Sequence, residues 1–181
     1  MTDPYSGNDS GQLEFRVSTP DQIALLIEAP ELFKKQFGFT AQPGYIEDMH
    51  ALKLFHSLMI AYPNVMAYCP ILILLPEEAS LVGLCGFLGP VDDEGCMEIG
   101  YGISTEFRGR GFAVQAVRYL VQFAKEGFGA RIVTAFTDPP NGPSERVLEK
   151  AGFTCVGPDP TRLRPNQKKW VLHLSEQQDP S

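Results

Sequence analysis

The chain reads as a single α+β domain whose mixed sheet is largely antiparallel and flanked by helices, and three observations predict it. Its 181 residues suit one domain, the range for which is about 100–200 residues. No internal repeat, low-complexity tract or linker divides it. The order of periodicities is short helices, then an antiparallel meander, then strand–helix–strand, the pattern of segregated layers around one core. The third observation is the stretch Met97–Ala130, around which the rest is organised. In it Met97, Ile99, Tyr101 and Ile103 alternate with Glu98, Gly100 and Gly102, the period of a strand. From Phe112 the period changes, and Phe112, Ala116, Val117, Leu120, Val121, Ala124 and Phe128 recur three and four apart, a helix with one apolar face.

Taken in order, Met1–Gly11 has no periodicity and reads as a tail, and Leu13–Val17 alternates as a first strand. Ser18-Thr19-Pro20-Asp21 carries helix-start chemistry for a helix over Gln22–Glu28; Pro30 interrupts, and Glu31–Phe37 forms another, stopped by Gly38. After Pro43-Gly44 the run Tyr45–Ala61 predicts a longer helix with an imperfect stripe of Ile46, Met49, Leu52, Phe55 and Met59. Met66–Leu75, nearly all apolar, reads as a strand buried on both faces. A turn at Pro76–Ser80 folds Leu81–Leu88 back antiparallel, and Gly89–Gly95 turns into the organising strand. Arg131–Phe136 follows as a strand parallel to it, joined through a right-handed crossover. Asp138–Pro143 is a loop, Ser144–Lys150 a short helix closed at Gly152, and Phe153–Val156 and Lys168–Leu174 are closing strands. Ser175–Ser181 is a second tail, so the domain is expected over 12–175.

Composition excludes several classes of function. A formal charge of −7 argues against nucleic acid as partner, because phosphate backbones need a basic surface. It suits cationic partners such as amines and basic peptides. The four cysteines, Cys69, Cys85, Cys96 and Cys155, have no C-x-x-C spacing and read as thiols in a reducing compartment. The longest apolar run, Val65–Leu75, is broken by Pro70 and is shorter than the roughly 20 residues a membrane helix needs. No secretory h-region opens the chain, and a cytoplasmic protein, monomeric or homodimeric, is expected. His50 and His56 are six apart and face different sides of a helix, so with His173 they read as structural, and no metal is expected.

Between the organising strand and its helix lies Arg108-Gly109-Arg110-Gly111-Phe112-Ala113. Glycines before a helix let backbone N–H groups approach a ligand, and the helix N-terminus adds partial positive charge. With two arginines this predicts a phosphate-binding turn. It is not a Walker loop, which ends Gly-Lys-Ser/Thr, nor a dinucleotide fingerprint, since Val114 stands where the third glycine belongs.

The pattern R-x-x-G-x-A over Arg108–Ala113 resembles the coenzyme A pyrophosphate loop of the GNAT superfamily of N-acetyltransferases. Glu98-Ile99-Gly100-Tyr101 resembles that family's preceding strand, and Asn141-x-x-Ser144-x-x-Val147-Leu148-Glu149-Lys150-x-Gly152-Phe153 its C-terminal helix and turn, closest to the branch acetylating ribosomal-protein N-termini and its relatives. The resemblance covers about 81–157. It implies a GNAT-like sheet in which the parallel strands splay apart around the pantetheine arm, with acetyl-CoA as co-substrate. The acceptor is then an amine, on a small molecule or a protein N-terminus. The alternative is a module on the same fold that binds CoA or a protein without turnover.

The resemblance also distributes roles. Gly109, Gly111, Phe112 and Ala113 hold the pyrophosphate, with Arg108 and Arg110 adding charge or remaining solvated. Backbone amides near Ile99, Gly100 and Tyr101 polarise the thioester carbonyl. Glu98 shares a strand face with Gly100 and Gly102, a carboxylate beside a floor without side chains. An alkyl amine costs about 4–5 kcal/mol to deprotonate at pH 7, which suits a carboxylate base acting through water. The alternative for Glu98 is ordering the strand or pairing with a basic residue. Asn141 would contact the pantetheine and Ser144 the departing thiolate, unless one of them merely caps the helix. Many members of the superfamily carry a Tyr acid where this chain has Leu148, so the acid role falls to Ser144 or to no side chain. Glu28, Glu31, Glu47 and Asp48 lie in segments expected to shape the acceptor side.

Overall fold

The computed structural model describes residues 12–46, 49–160, 164 and 166–174; the tails expected at either end lie outside the described residues, as do Glu47 and Asp48. The chain divides into two compact units, Met1–Cys85 with Tyr101–Ala113 and Gly86–Gly100 with Val114–Ser181.

In the first unit, β1 (Glu14–Val17) leads into α1 (Pro20–Glu28) and α2 (Pro30–Phe37). Thr19 starts α1 with a reciprocal cap: its Oγ1 accepts from the Gln22 amide at 3.3 Å, and its own amide donates to Gln22 Oε1 at 2.9 Å. Gly38, at φ +80°, stops α2 in the left-handed conformation open to glycine. A two-residue strand, β2 (Thr40–Ala41), was not anticipated; it pairs parallel with β4 (Ser80–Phe87). Then comes α3 (Met49–Ala61), shorter than the periodicity predicts. Tyr45 is not helical: it is buried in the core, and its hydroxyl donates to the Leu26 carbonyl at 2.7 Å.

The strand expected over Met66–Leu75 is two elements. Met66–Tyr68 form a 3-10 turn, and β3 (Ile71–Leu75) begins only after Pro70, whose missing N–H cannot join a ladder. All five β3 side chains are buried, with β1 and β4 antiparallel on its two sides. Ile23, Leu26, Phe33, Leu52 and Met59 from the helices pack with Leu72, Leu74 and Leu81 from these strands.

The second unit carries the strand order β5-β6-β8-β7. Its parts are β5 (Cys96–Ile103), α4 (Phe112–Phe128), β6 (Ile132–Thr137), α5 (Gly142–Lys150), β7 (Thr154–Pro158) and β8 (Lys168–His173). Strands β5 and β6 are parallel, as expected of the two that flank α4, and β6, β8 and β7 pair antiparallel. Phe87, Phe123 and Phe128 form a ring cluster with centroids 5.2–5.7 Å apart. Trp170 Nε1 donates to Thr137 Oγ1 at 3.0 Å, which satisfies the one polar atom of a buried indole. Strand β4 and strand β5 each run from one unit into the other.

Candidate active site

The glycine-rich loop belongs to the first unit. Ser104 leaves β5 with its amide donating to the Val82 carbonyl, and Thr105–Phe107 make one 3-10 turn. Gly109 and Gly111 both sit at φ +80°, where an L side chain is strained. A Cβ built on either would meet nothing within 4 Å, so both glycines face open space immediately before α4. That is what an anion cradle at a helix N-terminus requires: accessible backbone donors, positive dipole and no side-chain wall.

The two arginines differ. Arg108 turns back, its Nε donating to the Ile103 carbonyl at 3.0 Å. Arg110 forms an ion pair with Glu78 Oε1 at 2.8 Å, its guanidinium 5.3 Å from the Phe107 ring centroid and 4.8 Å from that of Phe112. Phe112 itself is buried, so only its backbone can face a ligand. Ala113 is half-buried.

Glu98 and its neighbours Ile99 and Gly100 belong to the second unit, while Tyr101 begins the next segment of the first. The β5–β6 register runs Cys96↔Ile132, Met97↔Val133, Glu98↔Thr134 and ends there, although β5 continues to Ile103 and β6 to Thr137. Beyond Glu98 the register with β6 does not continue to Ile99 and Gly100. Ile99's side chain is buried, so its contribution to a ligand is its backbone. The glycine floor is partly covered: a Cβ on Gly100 would touch Leu88 Cδ2 at 3.6 Å, whereas one on Gly102 would meet nothing within 4 Å. Glu98 is half-buried on β5, and its carbonyl accepts from the Leu88 amide.

On α5 the two candidate polar residues take separate positions. Asn141 is the N-cap, its Oδ1 accepting from the Ser144 amide at 3.2 Å and its carbonyl accepting from the Glu145 amide. Ser144 lies inside the first turn, after Gly142 and Pro143, because the helix starts two residues earlier than the sequence pattern suggests. The N-cap position thus belongs to Asn141, whose amide oxygen makes the cap. Glu145 receives Lys168 Nζ on both carboxylate oxygens, at 2.9 and 3.1 Å, tying α5 to the start of β8.

The structure thus groups Arg108–Ala113 and Tyr101 with one unit, and Glu98, Ile99, Gly100, Asn141 and Ser144 with the other. Two residues escaped the sequence reading. Gly83 lies where a Cβ would come within 2.1 Å of the Gly102 carbonyl oxygen, so the backbones of β4 and β5 meet there; an isolated glycine within a strand pattern is the signal for such an approach. Glu78 stood in a turn with nothing to mark it. Burial pushes the Cys85 thiol far up, and burial together with Asp92 and Glu94 raises Cys96, so neither offers a thiolate. Among the described residues no group of three His, Cys, Asp or Glu could hold a metal ion, and no helix is long and apolar enough to cross a membrane.

Residues 13–154 match the acetyltransferase (GNAT) domain family. Among curated proteins the chain is 28% identical over 103 residues to the uncharacterized N-acetyltransferase YjdG of Bacillus subtilis, covering 57% of this chain and 61% of that protein. It is 31% identical over 85 residues to the uncharacterized N-acetyltransferase p20 of Bacillus licheniformis, 47% of this chain and 48% of that one. The matched part thus spans about half to three-fifths of each relative. Solved structures share the fold at low identity. The ribosomal-protein-S5-alanine acetyltransferase of Vibrio fischeri superposes with a TM-score of 0.64 at 14% identity, over 89% of this chain and 92% of that one. The ribosomal L7/L12 alpha-N-protein acetyltransferase RimL, in complex with coenzyme A, does so with 0.63 at 16%, over 90% and 94%. A mutant of the spermidine N-acetyltransferase SpeG of Vibrio cholerae gives 0.65 at 13%, over 90% and 94%.

Proposed function

The chain belongs to the GNAT acetyltransferase domain family, and we propose that it is an acetyl-CoA-dependent N-acetyltransferase that moves an acetyl group to a primary amine by direct attack with both substrates bound. The observation that carries this reading is the pair Gly109 and Gly111, both at φ +80° and both facing open space before α4. Such a turn fits a pyrophosphate through the amides of Gly109–Ala113, with Arg108 supplying charge. Where the register of β5 with β6 ends at Glu98, the backbone of Ile99–Tyr101 supplies donors for the thioester carbonyl.

Within this reading Glu98 accepts the proton of the incoming ammonium, directly or through one water. Asn141 keeps its amide N–H groups for the pantetheine while its oxygen caps α5. Ser144, in the first turn of α5, donates a hydrogen bond to the departing thiolate. No enzyme thiol takes part, which agrees with the raised thiols of Cys85 and Cys96. By their names the solved relatives act on ribosomal proteins, one at an alpha-N position, and on spermidine, an amine. For this chain the acceptor class is a cationic amine in the cytoplasm, in keeping with the net charge of −7.

The test is acetyl transfer to an amine panel containing polyamines and basic peptides, followed as free thiol release. Binding of acetyl-CoA without transfer to any amine would instead indicate a non-catalytic CoA-binding module.

A further inference from the structure

We infer that Arg110 is a positioning residue, which holds the Gly109–Gly111 turn in its binding shape by pairing with Glu78, and that it is not a phosphate ligand. The inference rests on the reading of this turn as the coenzyme's phosphate site.

The sequence of the turn makes the case first. In Gly109-Arg110-Gly111 only the middle residue has a side chain, and the two glycines leave the backbone with more freedom than any other residue type would. An unrestrained turn of this kind must be ordered each time it binds, and that ordering weakens affinity. Arg110 carries the side chain within these three residues through which the turn can be held.

Arg110 is engaged on three sides within the first unit. Its Nη1 lies 2.8 Å from Glu78 Oε1, and its guanidinium is 5.3 and 4.8 Å from the rings of Phe107 and Phe112. Those rings stack on each other with centroids 6.4 Å apart, and both are buried, so the surface on which the guanidinium rests is fixed. A guanidinium matched to a carboxylate and laid on aromatic faces has its charge already answered.

The other end of the pair is equally determined. Glu78 closes the 3-10 turn Pro76–Glu78 between β3 and β4, and the next residue, Ala79, sits at φ +46°, ψ +43°. Ala79 is a non-glycine held in the left-handed region, a conformation that persists only where the surroundings over-determine it. Its amide donates to the Pro76 carbonyl, and its carbonyl accepts from the Thr40 amide. The short strand β2 thus fastens the turn that presents Glu78.

The two roles for Arg110 predict opposite signs for a change at Glu78. If Arg110 bound phosphate, Glu78 would compete with the coenzyme, and Glu78→Ala would tighten acetyl-CoA or leave it unchanged. If Arg110 positions the turn through Glu78, Glu78→Ala must weaken acetyl-CoA. The experiment measures the acetyl-CoA dissociation constant for the full chain, for Glu78→Ala, for Arg110→Gln and for the double variant. Both side chains are more than a third exposed, so the substitutions leave the core intact. We expect each single change to raise Kd about three- to tenfold, on the scale of an exposed ion pair plus a cation–π contact. The double variant should be no worse than the poorer single one, and the loss should fall on acetyl-CoA affinity far more than on kcat. An unchanged or lowered Kd in Glu78→Ala overturns the inference, as does strict additivity of the two losses. Failure of the unaltered chain to bind acetyl-CoA would be a different result, overturning the phosphate-site reading itself.

Discussion

At Gly111 a backbone requirement falls within the proposed pyrophosphate site. Its φ of +80° suits glycine, and the space where its side chain would be is open. Gly111→Asp places a carboxylate in that space and strains the turn, while touching nothing in the core. Acetyl-CoA at 100 times its dissociation constant should stabilise the unaltered chain by about 2.7 kcal/mol. The variant should remain folded and lose the thermal shift; retention of the full shift would show that the pyrophosphate sits elsewhere. Glu98 makes a different demand, because its proposed role is chemical. Glu98→Gln keeps the shape of the side chain but removes the proton acceptor. We expect a changed acidic limb in the pH–rate profile and partial recovery at high pH, where free amine is abundant. A profile identical to that of the unaltered chain would take Glu98 out of the mechanism.

Helix α5 carries two residues for which stability and the proposed turnover role can be measured apart. Asn141 is its N-cap and Ser144 lies in its first turn, although either residue type makes a good cap. Asn141→Ala should therefore cost about 0.5–2 kcal/mol of stability. Ser144→Ala should lower kcat well beyond its effect on acetyl-CoA binding. Melting curves and steady-state kinetics on the same preparations decide it, and equal kcat in Ser144→Ala and the unaltered chain would leave the thiolate without a side-chain donor. The far side of α5 is held by Lys168, whose pKa is raised chiefly by its hydrogen bonds to Glu145. A raised lysine contributes fully below its unfolded value and is lost only as pH rises through the raised one, so this tether is intact across neutral pH.

For the molecule as a whole, charge is the property that tests the proposed acceptor class. The net charge is −7, and Glu28 and Glu31 are exposed on α1 and α2. A field of that sign draws cationic amines, and the attraction weakens as salt shortens the Debye length below its physiological value of about 8 Å. The expected outcome is that kcat/KM for a polyamine or basic peptide falls with ionic strength more steeply than for an uncharged hydrazine. Equal slopes would mean that the acceptor is not steered by charge.

What the sequence determined by itself is whatever neighbouring residues encode. The change from period two to periods three and four located β5, the loop and α4, since apolar spacing reports which face is buried. The glycines of the loop and the cap at Thr19 were legible for the same reason, because their backbone requirements are met within a few residues. Tertiary structure decided the rest. Pro70 turned one apolar run into a 3-10 turn and a strand, and Tyr45 left its expected helix for the core, where the Leu26 carbonyl takes its hydroxyl. Asn141 rather than Ser144 became the cap because α5 begins at Gly142, a choice between two good capping residues that local pattern leaves open. The end of the β5–β6 pairing at Glu98 and the union of Arg110 with Glu78 join residues remote in sequence. No periodicity carries such pairings, since they depend on where folding brings the two backbones.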